Sequence, residues 1–210
     1  MIRVLIVDDH PVVRKGLLQI LAEEPDIAVA VEAETASKML DLVKEEQWDI
    51  VVLDITLPDR SGLEALKDLK AMRPALPVLI LSMHPEDQYA MRVLKAGAAG
   101  YMNKDSASEE LVNAVRKVVG GGKYVSPSMA EMLAAVIGND YERPPHESLS
   151  DREFQVMCLI ASGKRLKEVA DELCLSAKTV STYRARVLEK MGMENNAELT
   201  YYAVKNGLID

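Results

Sequence analysis

Three aspartates, a serine and a lysine stand at related positions along the first half of the chain. Asp8 and Asp9 follow the apolar run 4–7, Asp54 follows 50–53, Ser82 follows 78–81, and Lys104 lies just past 100–102. If these runs are strands of one parallel sheet, all five residues sit outside the carboxyl ends of its strands, where such sheets bind ligands. A single aspartate there commonly does no more than accept a backbone N–H. Three in one small pocket repel one another, and a hard divalent cation together with the Lys104 ammonium cancels their charge. All-oxygen ligation favours Mg2+, which keeps several of its waters. Asp54 is then the carboxylate whose free oxygen can attack phosphorus, with Mg2+ and Lys104 absorbing the phosphoryl charge. His10 and His84 lie close by and are read as tuning the lifetime of a phosphate, not as catalytic bases.

The elements that must position these groups are legible from periodicity. Of the apolar runs 4–7, 27–31, 50–53, 78–81 and 100–102, the first, third and fourth are unbroken Val, Ile and Leu, as strands covered on both faces are. Helical patterns near 11–23, 35–46, 62–72, 86–96 and 107–119 alternate with them. This order predicts an α/β domain with a flavodoxin-like, doubly wound, five-stranded parallel sheet over 1–120. A linker over 121–148 follows: Ser126-Pro127 starts a short helix near 127–137, and 138–148, with Pro144-Pro145, reads as a flexible boundary.

From 149 to 210 everything reads helical, predicting a small all-α domain of four helices. Ser150-Asp-Arg-Glu153 is a capping box, Gly163 ends the first helix, and a second spans about 167–173. Ser176 caps a third that runs to about 191, and Asn195-Asn196 opens a fourth. Charge separates this region from the rest. Residues 1–120 hold 14 Lys and Arg against 20 Asp and Glu, whereas 149–210 hold 9 against 9. Lys178, Arg184, Arg186 and Lys190 against Glu189 alone make the third helix locally basic, fit to meet a polyanion. At about 100° per residue, Val180, Tyr183, Val187 and Met191 share a face to be buried. Lys178, Thr182, Ala185 and Arg186 point away from it, with Ser181 on the flank and Thr179 near the start. This presentation suits readout of a DNA major groove. Arg184, Lys164 and Lys167 are placed to contact phosphates, fixing register without reading sequence.

Composition bounds the setting. Of the 210 residues 49% are hydrophobic and 28% charged, and no run approaches the roughly 18 apolar residues of a membrane span. The run at 2–7 passes straight into Asp8-Asp9 without a cleavage site, so a cytoplasmic location with no membrane partner is expected. Cys158 and Cys174 are expected reduced and buried.

Asp8-Asp9, Asp54, Ser82 and Lys104, with Pro58 and Gly62 after the central aspartate, resemble the receiver domain of response regulators over about 1–120. The resemblance implies that Asp54 accepts a phosphoryl group from a sensor histidine kinase. It further implies Mg2+ on Asp9, Asp54 and the backbone carbonyl of Thr56, with Asp8 helping through water, a Ser82 hydroxyl that turns to the phosphoryl oxygens, and a Tyr101 ring that packs inward as Ser82 moves. Leu57, where Met is frequent, and Asn103, where an apolar residue is frequent, depart from the family habit. The segments Leu149-Ser-Asp-Arg-Glu-Phe, Lys167-Glu-Val-Ala and Ser176-Ala-Lys-Thr-Val resemble the LuxR-type helix-turn-helix. Tyr183 and Ala185 differ from common family choices there, at positions that bear on base preference. Both motif sets in this order make the chain similar to the NarL/FixJ subfamily, implying a transcription regulator that binds double-stranded DNA. One unit of this size contacts few base pairs, so a homodimer on two half-sites is the expected active form.

Other chemistries fit less well. A haloacid-dehalogenase-like phosphatase needs an acid two residues after its nucleophile, and Thr56 stands there. Flavin binding needs N–H and hydroxyl donors after the first strand, where Asp8-Asp9-His10-Pro11 offers carboxylates. No enzyme activity beyond slow self-dephosphorylation is expected. The alternative of a phosphorylation-independent DNA-binding regulator that keeps the receiver as a scaffold would go with a degraded pocket, and the pocket residues are all present.

Overall fold

The five apolar runs form the strands β1 (Ile2–Val7), β2 (Ile27–Ala33), β3 (Ile50–Asp54), β4 (Val78–Ser82) and β5 (Gly100–Asn103). They pair in parallel in the order β2-β1-β3-β4-β5. This computed structural model describes residues 1–84, 86–131 and 144–209. The helices α1 (Pro11–Ala22), α2 (Ala36–Glu45), α3 (Gly62–Met72), α4 (Glu86–Lys95) and α5 (Ala107–Val119) alternate with the strands. The sheet is therefore doubly wound, and its order reverses between β1 and β3, where ligands bind in such folds.

Strands β3 and β4 are buried throughout. The expectation of cover on both faces fails at the edge strand β2, where Val31 is 38% exposed and Glu32 is also exposed. Local signals set the helix starts. Thr35 accepts from the Lys38 N–H ahead of α2, and Ser61 with Glu64 forms a capping box on α3.

The first compact unit is Met1–Ala135 and the second Val136–Asp210. Chain beyond 120 thus belongs with the sheet: Tyr124 makes a parallel bridge to Gly100, and Met129 is fully buried. The short helix expected near 127–137 is present over 127–131; its remainder lies outside the described residues. Of the boundary expected to be flexible, Pro145–Ser148 forms a 3-10 turn, closed by the Ser148 hydroxyl on the Pro145 carbonyl.

The second unit contains α6 (Asp151–Ala161), α7 (Leu166–Glu172), α8 (Ala177–Met191) and α9 (Asn196–Lys205). Ser150 and Glu153 form the expected capping box, and Ser176 and Asn195 cap α8 and α9. Val156 and Ile160 of α6, Val169 of α7 and Val180 of α8 form the centre of its core. Cys158 is buried but Cys174 is exposed, against expectation. Cys174 turns the chain out of α7 with a φ of 52°, in the left-handed region that a non-glycine residue seldom adopts.

Candidate functional site

Strand register brings the acidic residues level. Val7 pairs with Leu53 and Asp54 with Leu81, so Asp8 emerges beside Asp54, while Ser82 pairs with Asn103, next to Lys104. Lys104 Nζ lies 2.6 Å from Asp8 Oδ2 and 2.7 Å from Asp54 Oδ2, with all three side chains almost wholly buried. Asp54 Oδ1 accepts the Thr56 N–H at 3.2 Å. Burial pushes the Asp54 carboxyl up to about 6; Lys104 opposes this and the charge of Asp8 adds to it. Lys104 moves up as well, because its two carboxylate neighbours outweigh the burial that disfavours an ammonium. The two shifts have different causes: burial dominates at Asp54, and the paired carboxylates dominate at Lys104.

Oxygen atoms of Asp8, Asp9 and Asp54 and a ring nitrogen of His10 lie within 4.8 Å of one another. Two buried atoms, Asp8 Oδ2 and Asp9 Oδ1, lack a well-directed hydrogen bond and meet only the nitrogens of Lys104 and His10, at 2.6 Å and 2.7 Å. Under-satisfied, converging carboxylate oxygens are the donor set that a hard divalent cation requires, so the residues present fit Mg2+. Thr56 is held at this rim by its own N–H bond to Asp54 and by a bridge to Ser61.

Beside the carboxylates, Ser82 is fully buried and its Oγ accepts the His84 N–H at 3.1 Å. The His84 carbonyl accepts the Tyr101 hydroxyl at 2.6 Å, so the Tyr101 ring, fully buried, occupies the inward position. The backbone of His84 thereby joins Ser82 to Tyr101. The His84 ring itself faces Tyr89, with centroids 4.8 Å apart.

In the second unit the buried face of α8 is Val180, Val187, Leu188 and Met191, with Tyr183 partly covered. Lys178, Ser181, Thr182, Ala185 and Arg186 are exposed, as are Lys164 and Lys167. Thr179 is half-buried and shares a hydrogen bond of 2.8 Å with Ser176 at the cap. Arg184 Nε donates to Asn196 Oδ1 at 2.6 Å, tying α8 to α9. Two of the cations counted from sequence are engaged within the unit: Lys164 pairs with Glu172, and Lys190 lies 2.6 Å from Glu153. Burial disfavours the Glu153 carboxylate, but Lys190 and the Ser150 N–H hold its pKa below the usual range.

Residues 4–116 match the family described as "Response regulator receiver domain", and residues 147–203 match "Bacterial regulatory proteins, luxR family". The chain is a response regulator of the NarL/FixJ type. Response regulator GacA of Pseudomonas aeruginosa is 39% identical over 211 residues, covering 100% of this chain and 99% of that protein. Response regulator UvrY of Escherichia coli K12 is 35% identical, covering 99% of this chain and 96% of its own length. Among solved structures, RcsB of Salmonella enterica serovar Typhimurium, bound to promoter P1flhDC in the presence of phosphomimetic BeF3-, has a TM-score of 0.65 at 25% identity. It covers 97% of this chain and 98% of its own. Among the described residues no helix of the regulator is long and apolar enough to cross a membrane.

Two supporting residues of this regulator, Arg14 and Asp59, escaped the sequence reading, and the role of a third, Gly62, was not seen. Arg14 donates from Nη1 to the Asp8 carbonyl at 2.6 Å and lies 3.1 Å from Glu32, fixing the loop that carries Asp8 and Asp9. Asp59 accepts the N–H groups of Ala36 and Ser37 and so docks the acceptor loop on α2. Gly62, noted only through the resemblance, has a steric role: a Cβ there would lie 2.0 Å from the Asp54 carbonyl oxygen. The signal for Gly62 was a glycine opening a helix just after an acceptor loop. Arg14 and Asp59 gave none, because single charged residues in a helix or loop are usually solvated.

Proposed function

We propose that this response regulator accepts a phosphoryl group on Asp54 from a sensor histidine kinase. The phosphorylated form then binds double-stranded DNA as a homodimer to control transcription. The observation that carries the reading is the Asp54 carboxylate, buried and clamped between Lys104 at 2.7 Å and the Thr56 N–H at 3.2 Å beside Asp8 and Asp9. An Asp54 oxygen attacks the phosphorus of a phosphohistidine, the P–N bond breaks, and the kinase imidazole leaves. Lys104 stays charged and balances the phosphoryl oxygens. Asp8, Asp9, Asp54 and the Thr56 carbonyl would hold Mg2+, which supplies Lewis-acid neutralisation of those oxygens when bound. Ser82 offers its hydroxyl to the new dianion, giving up its bond from the His84 N–H. Because Thr56 stands two residues after Asp54, where a phosphatase would need its acid, the expected activity is regulatory, with only slow self-dephosphorylation.

At the output end, the exposed Lys178, Ser181, Thr182 and Arg186 would enter the major groove, with Thr179, Arg184, Lys164 and Lys167 toward the phosphates. The RcsB structures, one with promoter DNA and BeF3- and one described as two RcsB dimers on two parallel DNAs, support this mode. A cytoplasmic location fits a regulator that works on DNA. The test is incubation of the full chain with acetyl phosphate and Mg2+, read by mass and by affinity for genomic promoter fragments. A gain of one phosphoryl group, absent in Asp54→Asn, with tighter DNA binding in wild type only, is expected. Equal DNA binding by Asp54→Asn and phosphodonor-treated wild type would leave the receiver as a scaffold.

A further inference from the structure

The chain leaving α5 folds back on the edge of the sheet before it moves on. Tyr124 N–H donates to the Ala99 carbonyl at 2.9 Å and its own carbonyl accepts the Tyr101 N–H at 3.2 Å, while Lys123 Nζ reaches the Ala98 carbonyl at 2.7 Å. The Tyr124 hydroxyl bonds Glu110 and its ring lies under Lys117, so this end is fastened to β5 and α5. The fit is tight enough to need Gly100, since a Cβ there would come within 2.5 Å of the Tyr124 carbonyl oxygen.

The other end is fastened elsewhere. Ser126 and Ser128 both donate to Glu86, the first residue of α4, and Met129 is buried beyond them. Glu86 stands two residues after His84, whose backbone bonds Ser82 Oγ on one side and the Tyr101 hydroxyl on the other. A hydroxyl that leaves His84 for a phosphoryl group therefore frees the His84 backbone, two residues ahead of Glu86.

We propose that residues 123–129 form a strap with one fixed end, on β5 and α5, and one state-dependent end, on Glu86. Through it the state of the Asp54 pocket sets the direction in which the chain leaves the receiver. This rests on the reading of Asp54 as the phosphoacceptor. Tyr124 holds its position in both states. Ser126 to Met129 loosen when Glu86 moves with α4, so a shift too small to disturb the sheet changes the direction in which the chain leaves residue 129.

Amide hydrogen exchange on the full chain, with and without acetyl phosphate and Mg2+, tests this, with phosphoryl uptake followed by mass in the same samples. In wild type, uptake should speed exchange at the Met129 N–H roughly tenfold and leave the Tyr124 N–H unchanged. Glu86→Ala should exchange fast at Met129 in both states, take up phosphoryl as wild type does, and lose most of the gain in DNA affinity. Gly100→Ala should instead release the Tyr124 end. Uptake with unchanged Met129 exchange in wild type, or a Glu86→Ala chain that keeps the full gain in affinity, overturns the strap while leaving Asp54 as acceptor. No uptake at all overturns the reading of Asp54, and the strap's role with it.

Discussion

The acidic pocket of the receiver and the exposed face of α8 both concentrate charge, in opposite ways. In the pocket Lys104, Asp54 and Asp8 have side chains no more than 5% exposed, and each charge is met by a named partner within 2.7 Å. On α8, Lys178 and Arg186 are exposed to solvent. Buried charges must be balanced where they stand, so the pocket is built before its ligand comes. Exposed charges cost the fold almost nothing and acquire their energy on binding, chiefly by releasing counterions. Substitutions should therefore act on stability in the first region and on affinity in the second.

The largest effect is expected where the pocket is most crowded. Gly62→Ala forces a methyl group against the Asp54 carbonyl oxygen, and neither backbone segment can yield without moving the acceptor loop. A loss of about 3 kcal/mol in receiver stability follows, at the upper end of overpacking costs. Urea unfolding of the full chain should show an early receiver transition with the helical unit unmoved, and phosphoryl uptake should drop with it. Retention of wild-type stability would mean that the loop is softer than this packing requires.

Next in size is a pH effect in metal-chelated buffer. The folded Asp54 carboxyl, at about 6, binds its proton more tightly than the unfolded one, at 3.8. Its contribution to stability is complete below the unfolded value and is lost as pH rises through about 6. Between pH 5 and 8 wild type should lose about 1.5 kcal/mol relative to Asp54→Asn. Asp59 and Glu153, whose pKa values are lowered, act with the opposite sign and only at lower pH, as their carboxylates protonate. A constant difference between the two chains across this window would show that Asp54 is not held against ionisation.

On α8 the same logic separates two neighbouring arginines. Arg186→Ala should cost about 1–3 kcal/mol of DNA affinity and leave stability within about 0.5 kcal/mol. Arg184→Ala should weaken both, because it also removes the bond to Asn196, worth about 1 kcal/mol. Equal thermal stability of the two variants would remove Arg184 from the α8–α9 contact.

The two regions also differ in how much of them could be read beforehand. Alternation of Val-rich runs with 3.6-residue patterns revealed the sheet and the aspartates at its edge, because period and strand end are local properties of the chain. The caps Ser150, Ser176 and Asn195 were legible for the same reason. Arg14 beneath Asp8, Asp59 on the start of α2 and Tyr124 against Gly100 were not, since each depends on segments brought together only by folding. Within the linker read over 121–148 the short helix from Ser126-Pro127 was legible, but the pairing of Tyr124 with the edge of the sheet was not. On α8 the exposed set followed from the helical wheel, but the commitment of Lys190 to Glu153 and of Lys164 to Glu172 did not.

That last pair gives the smallest effect and the sharpest contrast between fold and affinity. Lys164 and Glu172 are each about two-fifths exposed, so their ion pair contributes at most about 1 kcal/mol to stability. Lys164→Ala should lower the slope of log affinity against log salt by about 1, uniformly across DNA sequences, if Lys164 meets a phosphate. Glu172→Ala removes the competing carboxylate and should shift DNA affinity the other way, tightening it by a few tenths of a kcal/mol at low salt. Opposite signs from the two halves of one ion pair would show that the regulator holds this lysine in reserve for DNA. The same sign from both would make the pair a local brace, and Lys164 would drop out of the interface.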